Sequence, residues 1–307
     1  MDIAPQTYER IRKSVIAVPP LARTITGELD WDQNSRIIRY LEGGGVNILL
    51  YGGNALLYHV RPSEYRSLLE YLTGAVKDTT AVVPSVGPTY GMMMDQAAVL
   101  RDFEFPTAMV LPQRDITDPQ GIVRGIRTFV DAYEKPVVLY LKFARWLPTQ
   151  AVVTLVREGL VSWIKYAVVR DDPAVDDELS ELVEFVSPQQ IISGIGEQPA
   201  IVHMKQFGVA GFTSGCVCVA PRRSMQMLNA IYAGDIAEAD AIRGKFSLLE
   251  DLRNAIHPIR VLHHAVEQAG IANTGPILPL LSEVSPEQLE LIRNAASSLF
   301  AWDQAVS

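Results

Sequence analysis

Short apolar and β-branched runs recur along the chain at residues 14–18, 46–51, 81–86, 107–111, 137–141, 161–166, 190–193 and 209–214. They are continuous rather than alternating, which is what strands of a parallel sheet covered on both faces require. The segments between them carry helical spacing: Ile37, Ile38 and Leu41; Leu68, Leu69 and Leu72; Ile122, Ile126 and Phe129. Each gap therefore holds one helix whose apolar stripe faces the sheet. Boundary residues agree with this reading. Asp30 and Ser63 are placed to cap helix starts, Pro62 and Pro119 suit first-turn positions, and Gly43 to Gly45 end a helix ahead of the second strand.

Eight strand–helix units within roughly 230 residues match a closed (β/α)8 TIM barrel, an α/β fold. The competing doubly wound open sheet lacks support, because no G-x-G-x-x-G follows the first strand. Beyond Pro221 the pattern becomes purely helical, at 225–232, 236–252, 258–269 and 286–299. The first of these closes the barrel and the others form a C-terminal helical extension. The expected division is 1–235 for the barrel that carries the active site and 236–307 for the extension, with no low-complexity linker between them.

Composition narrows the function classes. Of 307 residues 48% are hydrophobic and 20% charged, which fits an ordered globular protein. Lys and Arg number 27 against 35 Asp and Glu, a net charge of -8, which disfavours a nucleic-acid partner. No apolar run approaches the ~20 residues of a membrane span, so no membrane partner is expected. The polar stretch from Met1 to Arg12 does not resemble a secretory leader, and a reducing, cytoplasmic setting is expected. Cys216 and Cys218 are too close for an ordinary disulfide and lack zinc-site companions, so they read as small core residues. His257, His263 and His264 lack the spacing that would bring two imidazoles to one metal. Gly244-Lys245 fails as a phosphate loop, since Ala239 and Phe246 stand where Gly and Ser or Thr are needed. No metal and no cofactor are expected.

Barrel enzymes work at the C-terminal ends of their strands, so polar residues that interrupt the apolar runs there matter most. Lys165 ends the sixth run within Val161-Ser162-Trp163-Ile164-Lys165-Tyr166. The two-residue period puts Trp163, Lys165 and Ala167 on one side and Ser162, Ile164 and Tyr166 on the other. A buried ammonium is costly and escapes by losing its proton, which makes the amine a nucleophile for a carbonyl carbon. The bland alternative is a lysine that reaches solvent or pairs with Asp171. Tyr140 ends the fifth run and suits a proton relay, or plain packing. Arg145, five residues on, suits a carboxylate clamp, or open surface. Gly52, Gly53 and Asn54 form a tight turn after the second strand whose amides could receive a carboxylate oxygen. Gly194 and Gly196 shape a similar turn after the seventh strand, and Ser214 ends the eighth.

The order of these residues is more telling than any one of them. A tyrosine ending strand five, an arginine five positions later, and a lysine in an Ile-Lys step on strand six resemble the dihydrodipicolinate synthase and N-acetylneuraminate lyase family. The resemblance runs from Ser14 through the helical tail and includes Gly208-Val209-Ala210-Gly211-Phe212-Thr213-Ser214 with Ala220-Pro221 behind it. It implies a barrel with a C-terminal helical extension and a homo-oligomer, tetramer or dimer. It further implies Lys165 as the Schiff-base residue, Tyr140 as proton relay, and Arg145 as a carboxylate contact.

The departures are as informative. Gly52-Gly53-Asn54-Ala55-Leu56 stands where the family usually has Gly-Thr-Thr-Gly-Glu. Pro112-Gln113-Arg114 replaces a Pro-Tyr-Tyr segment, and Ser214-Gly215-Cys216-Val217-Cys218 replaces Ser-Val-Thr-Ala-Asn. The threonine and tyrosine relay of a true dihydrodipicolinate synthase is thus broken at two points. The expectation is a divergent imine-forming lyase, aldolase or dehydratase, on a pyruvate-derived or longer 2-oxo acid. In it the Gly52 to Asn54 amides and the Asn54 side chain hold the carboxylate, with Gly194 and Ser214 lining the pocket. The alternative is a non-catalytic barrel that binds a small acid. A phosphate-binding barrel is a weaker third reading, because only Gly194 and Gly196 suggest a phosphate turn.

Overall fold

The computed structural model describes residues 1–305. Helix α1 (Tyr8–Ile11) precedes β1 (Ile16–Ala17), and strands and helices then alternate. They run α2 (Trp31–Gly43), β2 (Ile48–Tyr51), α3 (Pro62–Ala75), β3 (Ala81–Val86), α4 (Tyr90–Leu100), β4 (Met109–Val110) and α5 (Pro119–Tyr133). The second half continues with β5 (Val137–Leu141), α6 (Thr149–Arg157), β6 (Val161–Tyr166), α7 (Asp177–Phe185), β7 (Ile191–Ser193), α8 (Glu197–Gln206), β8 (Thr213–Ser214) and α9 (Pro221–Ala233). Helices α10 (Ile236–Ala255), α11 (Pro258–Gln268) and α12 (Pro286–Gln304) complete the chain.

All eight strands are parallel, in the order β7-β6-β5-β4-β3-β2-β1-β8. A bridge between Ser193 and Phe212 joins the two ends, with the Ser193 amide donating to Gly211 O at 2.9 Å and the Ala210 amide to Ile191 O at 2.8 Å. The expected (β/α)8 barrel with its helical extension is the observed architecture. All eight runs lie where expected, though the ladders of β1, β4 and β8 are only two residues long. Pairing continues irregularly past them, as in Val18 N–H to Ser214 O at 3.0 Å and Val138 N–H to Ala108 O at 2.9 Å.

Local signals act mostly as expected. Asp30 caps α2 through the Gln33 amide at 3.1 Å, and Pro62 and Pro119 occupy first turns. Ser63 does not cap. Helix α3 starts one residue earlier, and Glu64 reaches back to accept the Arg61 amide at 3.1 Å, doing the capping from within the first turn. Cys216 and Cys218 lie in a 3-10 turn (Cys216–Cys218), not on the strand, and are fully buried.

Helix α10 of the extension packs against α8 and α9, with Ile242, Phe246 and Leu249 buried. Its last turn therefore reaches the C-terminal mouth of the barrel. Among the described residues no helix is long and apolar enough to cross a membrane.

Candidate active site

Tyr140 and Lys165 are partners across the β5–β6 ladder, so their side chains leave adjacent strands side by side. The Lys165 ammonium lies 4.5 Å from the centre of the Tyr140 ring. Lys165 is 6% exposed and Tyr140 8%. The question of which face of β6 points inward is settled by Tyr166, whose hydroxyl donates outward to Asp176 at 2.8 Å, at the start of α7.

Among the described residues no carboxylate pairs with the buried amine. Burial pulls the Lys165 pKa from 10.5 down to about 7, and the positive charges of Lys142 and Arg253 push the same way. Asp171 forms no ion pair with it among the described residues. A lysine so placed holds a substantial share of neutral, nucleophilic amine near neutrality. Burial likewise raises the Tyr140 pKa, with Tyr58 adding to the rise and Arg253 opposing it. Tyr140 is thus held as the neutral phenol, able to give a proton and take one back.

Gly194, after β7, is glycine for a visible reason. A Cβ there would sit 2.6 Å from Ala167 Cβ and 3.0 Å from Lys165 Cγ, so the lysine stem crosses the strand end only because no side chain intervenes. Gly52 is similar, since a Cβ would fall 2.6 Å from Met109 Cε. The turn that follows closes through Leu56 N–H to Gly53 O at 2.9 Å and Leu57 N–H to Gly52 O at 3.2 Å, with Leu56 held at φ +53. The amides of Gly53, Asn54 and Ala55 have no acceptor among the described residues. The Asn54 amide nitrogen, however, donates to Val18 O at 3.0 Å, so that side chain is partly committed to holding the turn.

Two other expected residues are placed differently from the core pair. Arg145 stands exposed in a left-handed turn at φ +52. Its amide donates to the Glu178 carboxylate at 3.0 Å, which ties the loop to α7 while the guanidinium remains in solvent. Ser214 is buried, donates to Glu197 at 2.7 Å and accepts the Val217 amide at 3.0 Å, so its hydroxyl is fully engaged within the protein.

The guanidinium beside the lysine comes from elsewhere. Arg253, in the last turn of α10, acts electrostatically on both Lys165 and Tyr140. Among the described residues its guanidinium hydrogen-bonds to the Cys216 sulfur at 3.9 Å, while its Nε is shielded without a partner. A point one Cβ above Gly215 lies 3.1 Å from Asn54 Nδ2 and 3.2 Å from Arg253 Cζ, so the Asn54 side chain and the guanidinium converge over the same face of Gly215. Sequence reasoning missed Arg253, because nothing local in α10 distinguishes it from a surface arginine. It also passed over Lys142, although the two-residue period puts Lys142 in the same row as Tyr140.

Behind Arg253 lies a closed acid cluster. Glu250 accepts the amides of Glu197 and Gln198, both at 2.9 Å, and so caps α8 from α10. Glu197 accepts the hydroxyls of Ser214 and Ser224, both at 2.7 Å. Burial raises the pKa of both acids, and the Glu197 charge raises that of Glu250 further. Donor atoms of Glu197, Cys216 and Glu250 come within 4.8 Å of one another, the spacing of a metal site. The oxygens are already occupied by N–H and O–H donors, and the adjacent Arg253 charge opposes a cation. The cluster fits an arginine support better than a metal centre.

A separate cavity of about 550 Å³ lies between α4 and α5, lined by Thr89, Tyr90, Gln113, Ile116, Asp118 and Trp146 among others. Its lining includes no lysine and no nucleophile–base pair, so Lys165 and Tyr140 remain the candidate site.

The chain is similar to known proteins along most of its length. The chain is 26% identical over 279 residues to a 4-hydroxy-tetrahydrodipicolinate synthase of Dechloromonas aromatica, covering 88% of this chain and 93% of that one. A dihydrodipicolinate synthase structure from Bacillus clausii superposes with a TM-score of 0.81 at 21% identity, over 95% and 98% of the two chains. The enzyme of Cyanidioschyzon merolae, solved with lysine bound, gives 0.84 at 16% identity over 96% and 99%. With a barrel of this order, a tyrosine and lysine paired across β5 and β6, and a family model matching residues 14–297, the chain belongs to the dihydrodipicolinate synthetase family.

Proposed function

We propose that this chain is an imine-forming lyase, aldolase or dehydratase in type, acting on a 2-oxo acid. The observation that carries the reading is Lys165, a buried amine paired with no carboxylate among the described residues, its pKa drawn down to about 7, lying 4.5 Å from the ring of a neutral tyrosine. The 4-hydroxy-tetrahydrodipicolinate synthase relatives supply the lyase frame. The turn Gly52-Gly53-Asn54 without its threonines argues against transferring their specific reaction.

The neutral Lys165 nitrogen adds to the ketone carbon, and Tyr140 passes a proton to the ketone oxygen. That oxygen leaves as water and a protonated imine forms. The imine then accepts the electron pair of a bond broken one position further along. If that bond is carbon–carbon, the hydroxyl on its far carbon gives its proton to the Tyr140 oxygen, an aldehyde departs, and the enamine left on Lys165 takes that proton back at carbon to become the imine again; if instead a proton is lost from carbon and the neighbouring hydroxyl leaves as water after protonation, the result is dehydration. Water returns to the imine carbon and releases Lys165. The amides of Gly53, Asn54 and Ala55 together with Arg253 hold the carboxylate next to the ketone. Arg253 takes the place that Arg145 would fill by resemblance. The chain is further proposed to assemble as a dimer or tetramer, which light scattering on the eluting protein checks.

The test is trapping. Incubation with pyruvate and longer 2-oxo acids, then borohydride, should give a stable mass gain on the peptide containing Lys165 and none in Lys165→Ala. The rate of trapping should rise with pH through about 7 as the amine loses its proton. A folded sample that traps no 2-oxo acid would overturn the lyase reading in favour of a non-catalytic acid binder.

A further inference from the structure

The proposed chemistry uses one carboxylate anchor, yet the surroundings of Lys165 contain a cation that anchor leaves unemployed. Lys142 follows Tyr140 by two residues at the end of β5. Its ammonium lies 5.8 Å from the Tyr58 ring centre and 5.6 Å from that of Phe143, so it rests on an aromatic floor. It is partly buried, and burial is the sole influence moving its pKa, downward; no carboxylate stands near enough to draw it back. Among the described residues it forms no ion pair.

An unpaired, half-buried ammonium is costly, and its retention beside a second buried amine asks for an occupant. Its position is informative. Arg253 and the Asn54 side chain of the β2 turn meet over Gly215, after β8. Lys142 instead stands at the β5 side, close enough to α11 to depress His257 at that helix's cap. Both cations act on Lys165, so it lies within reach of each. The exposed Arg114 also lies against Phe143, its guanidinium carbon 4.6 Å from the ring centre, which adds a second positive charge beside that ring.

We propose that the substrate is a 2-oxo acid bearing a second carboxylate, and that Lys142 receives that carboxylate while Arg253 and the Gly53–Ala55 amides receive the first. A carboxylate is favoured over a phosphate because the receiving group is a single ammonium on an aromatic floor, without the cradle of amides a phosphate uses. The selectivity rests on the imine reading for its chemistry, but the binding claim is separable from it.

The experiment has two arms. In the first, borohydride trapping is titrated with 2-oxoglutarate and 2-oxoadipate against 2-oxobutyrate and 2-oxovalerate, in the native chain and in Lys142→Met. All four react at Lys165, so their ratio cancels any change in the reactivity of that amine. The diacids should half-saturate trapping at concentrations about tenfold below the monoacids, and Lys142→Met should bring the ratio close to one. Equal half-saturation in the native chain, or a diacid preference that survives in Lys142→Met, would overturn the assignment. In the second arm, glutarate and butyrate, which cannot form imines, are compared by calorimetry in the same two proteins. If no 2-oxo acid is trapped, the imine reading has failed, and a glutarate preference lost in Lys142→Met still establishes the second carboxylate site. Equal weak binding of glutarate and butyrate rejects it. Should Lys142→Met fail to fold, Lys142→Gln replaces it in both arms.

Discussion

At the scale of single residues, Lys165 illustrates how a site is maintained against stability. Its pKa is 10.5 in the unfolded chain and about 7 in the fold. Between those values the unfolded state binds more protons than the folded one, so stability rises with pH across that window. Below pH 7 the amine is charged in both states and the full burial penalty, up to about 5 kcal/mol, is present. Above 10.5 it is neutral in both and the penalty is gone. Lys165→Met should therefore be inactive yet more stable than the native chain at pH 6, by a few kcal/mol, with the gap closing as pH approaches 10. Denaturant titrations of both proteins at three pH values measure it; a mutant less stable at pH 6 would mean that the native amine has a partner. Lys165 was legible in the sequence because a charged residue inside an apolar run is conspicuous. Arg253 was not, because its significance depends on where α10 ends in space, and that is fixed by packing rather than by neighbours in the chain.

At the scale of elements, the periodic pattern located every strand and its following helix, since the apolar face of each must be buried whatever the topology. Ladder lengths were less legible. Residues such as Val209 and Ala210 are apolar because they are buried at a strand entrance, not because they pair regularly. Nor could the sequence show that a carboxylate from α10 caps α8. Glu250 does so by accepting the Glu197 and Gln198 amides, and Arg253 follows it by one turn on the same helix. The approach requires Gly196, which has φ +114 and whose absent Cβ would overlap a Glu250 oxygen. Gly196→Ala should therefore push Glu250 off its cap and shift the turn that carries Arg253. The expected cost is about 2–4 kcal/mol, from backbone strain and the lost cap together. Substrate affinity should fall more than the rate of the bound complex, because Lys165 and Tyr140 are on strands the change does not touch. Thermal unfolding with kcat and KM measured separately checks this; unchanged stability and KM would disconnect the cap from the site.

At the scale of the whole molecule, the charge distribution runs against the total. The chain carries a net charge of -8, yet the groups that act on Lys165 are cations, and the nearby acids are turned toward amides and hydroxyls. Composition alone disfavours a polyanionic partner but could not reveal the cations gathered around Lys165. The same long-range organisation bears on the C-terminal extension. Sequence reading divides the chain near 235, but α10 delivers both the α8 cap and Arg253. Ile242, Phe246, Leu249, Val261 and Leu262 are buried within the same continuous core as the strands. Removing α10 to α12 would expose that apolar surface and orphan the amides that begin α8. The extension is therefore expected to unfold with the barrel rather than before it. Urea titration should give coincident transitions for Trp163, deep in the barrel, and Trp302, on α12, when each is followed in a variant lacking the other tryptophans. If Trp302 responds at a lower urea concentration, the extension is an autonomous unit, and the position of Arg253 must then be held by ligand binding rather than by the fold.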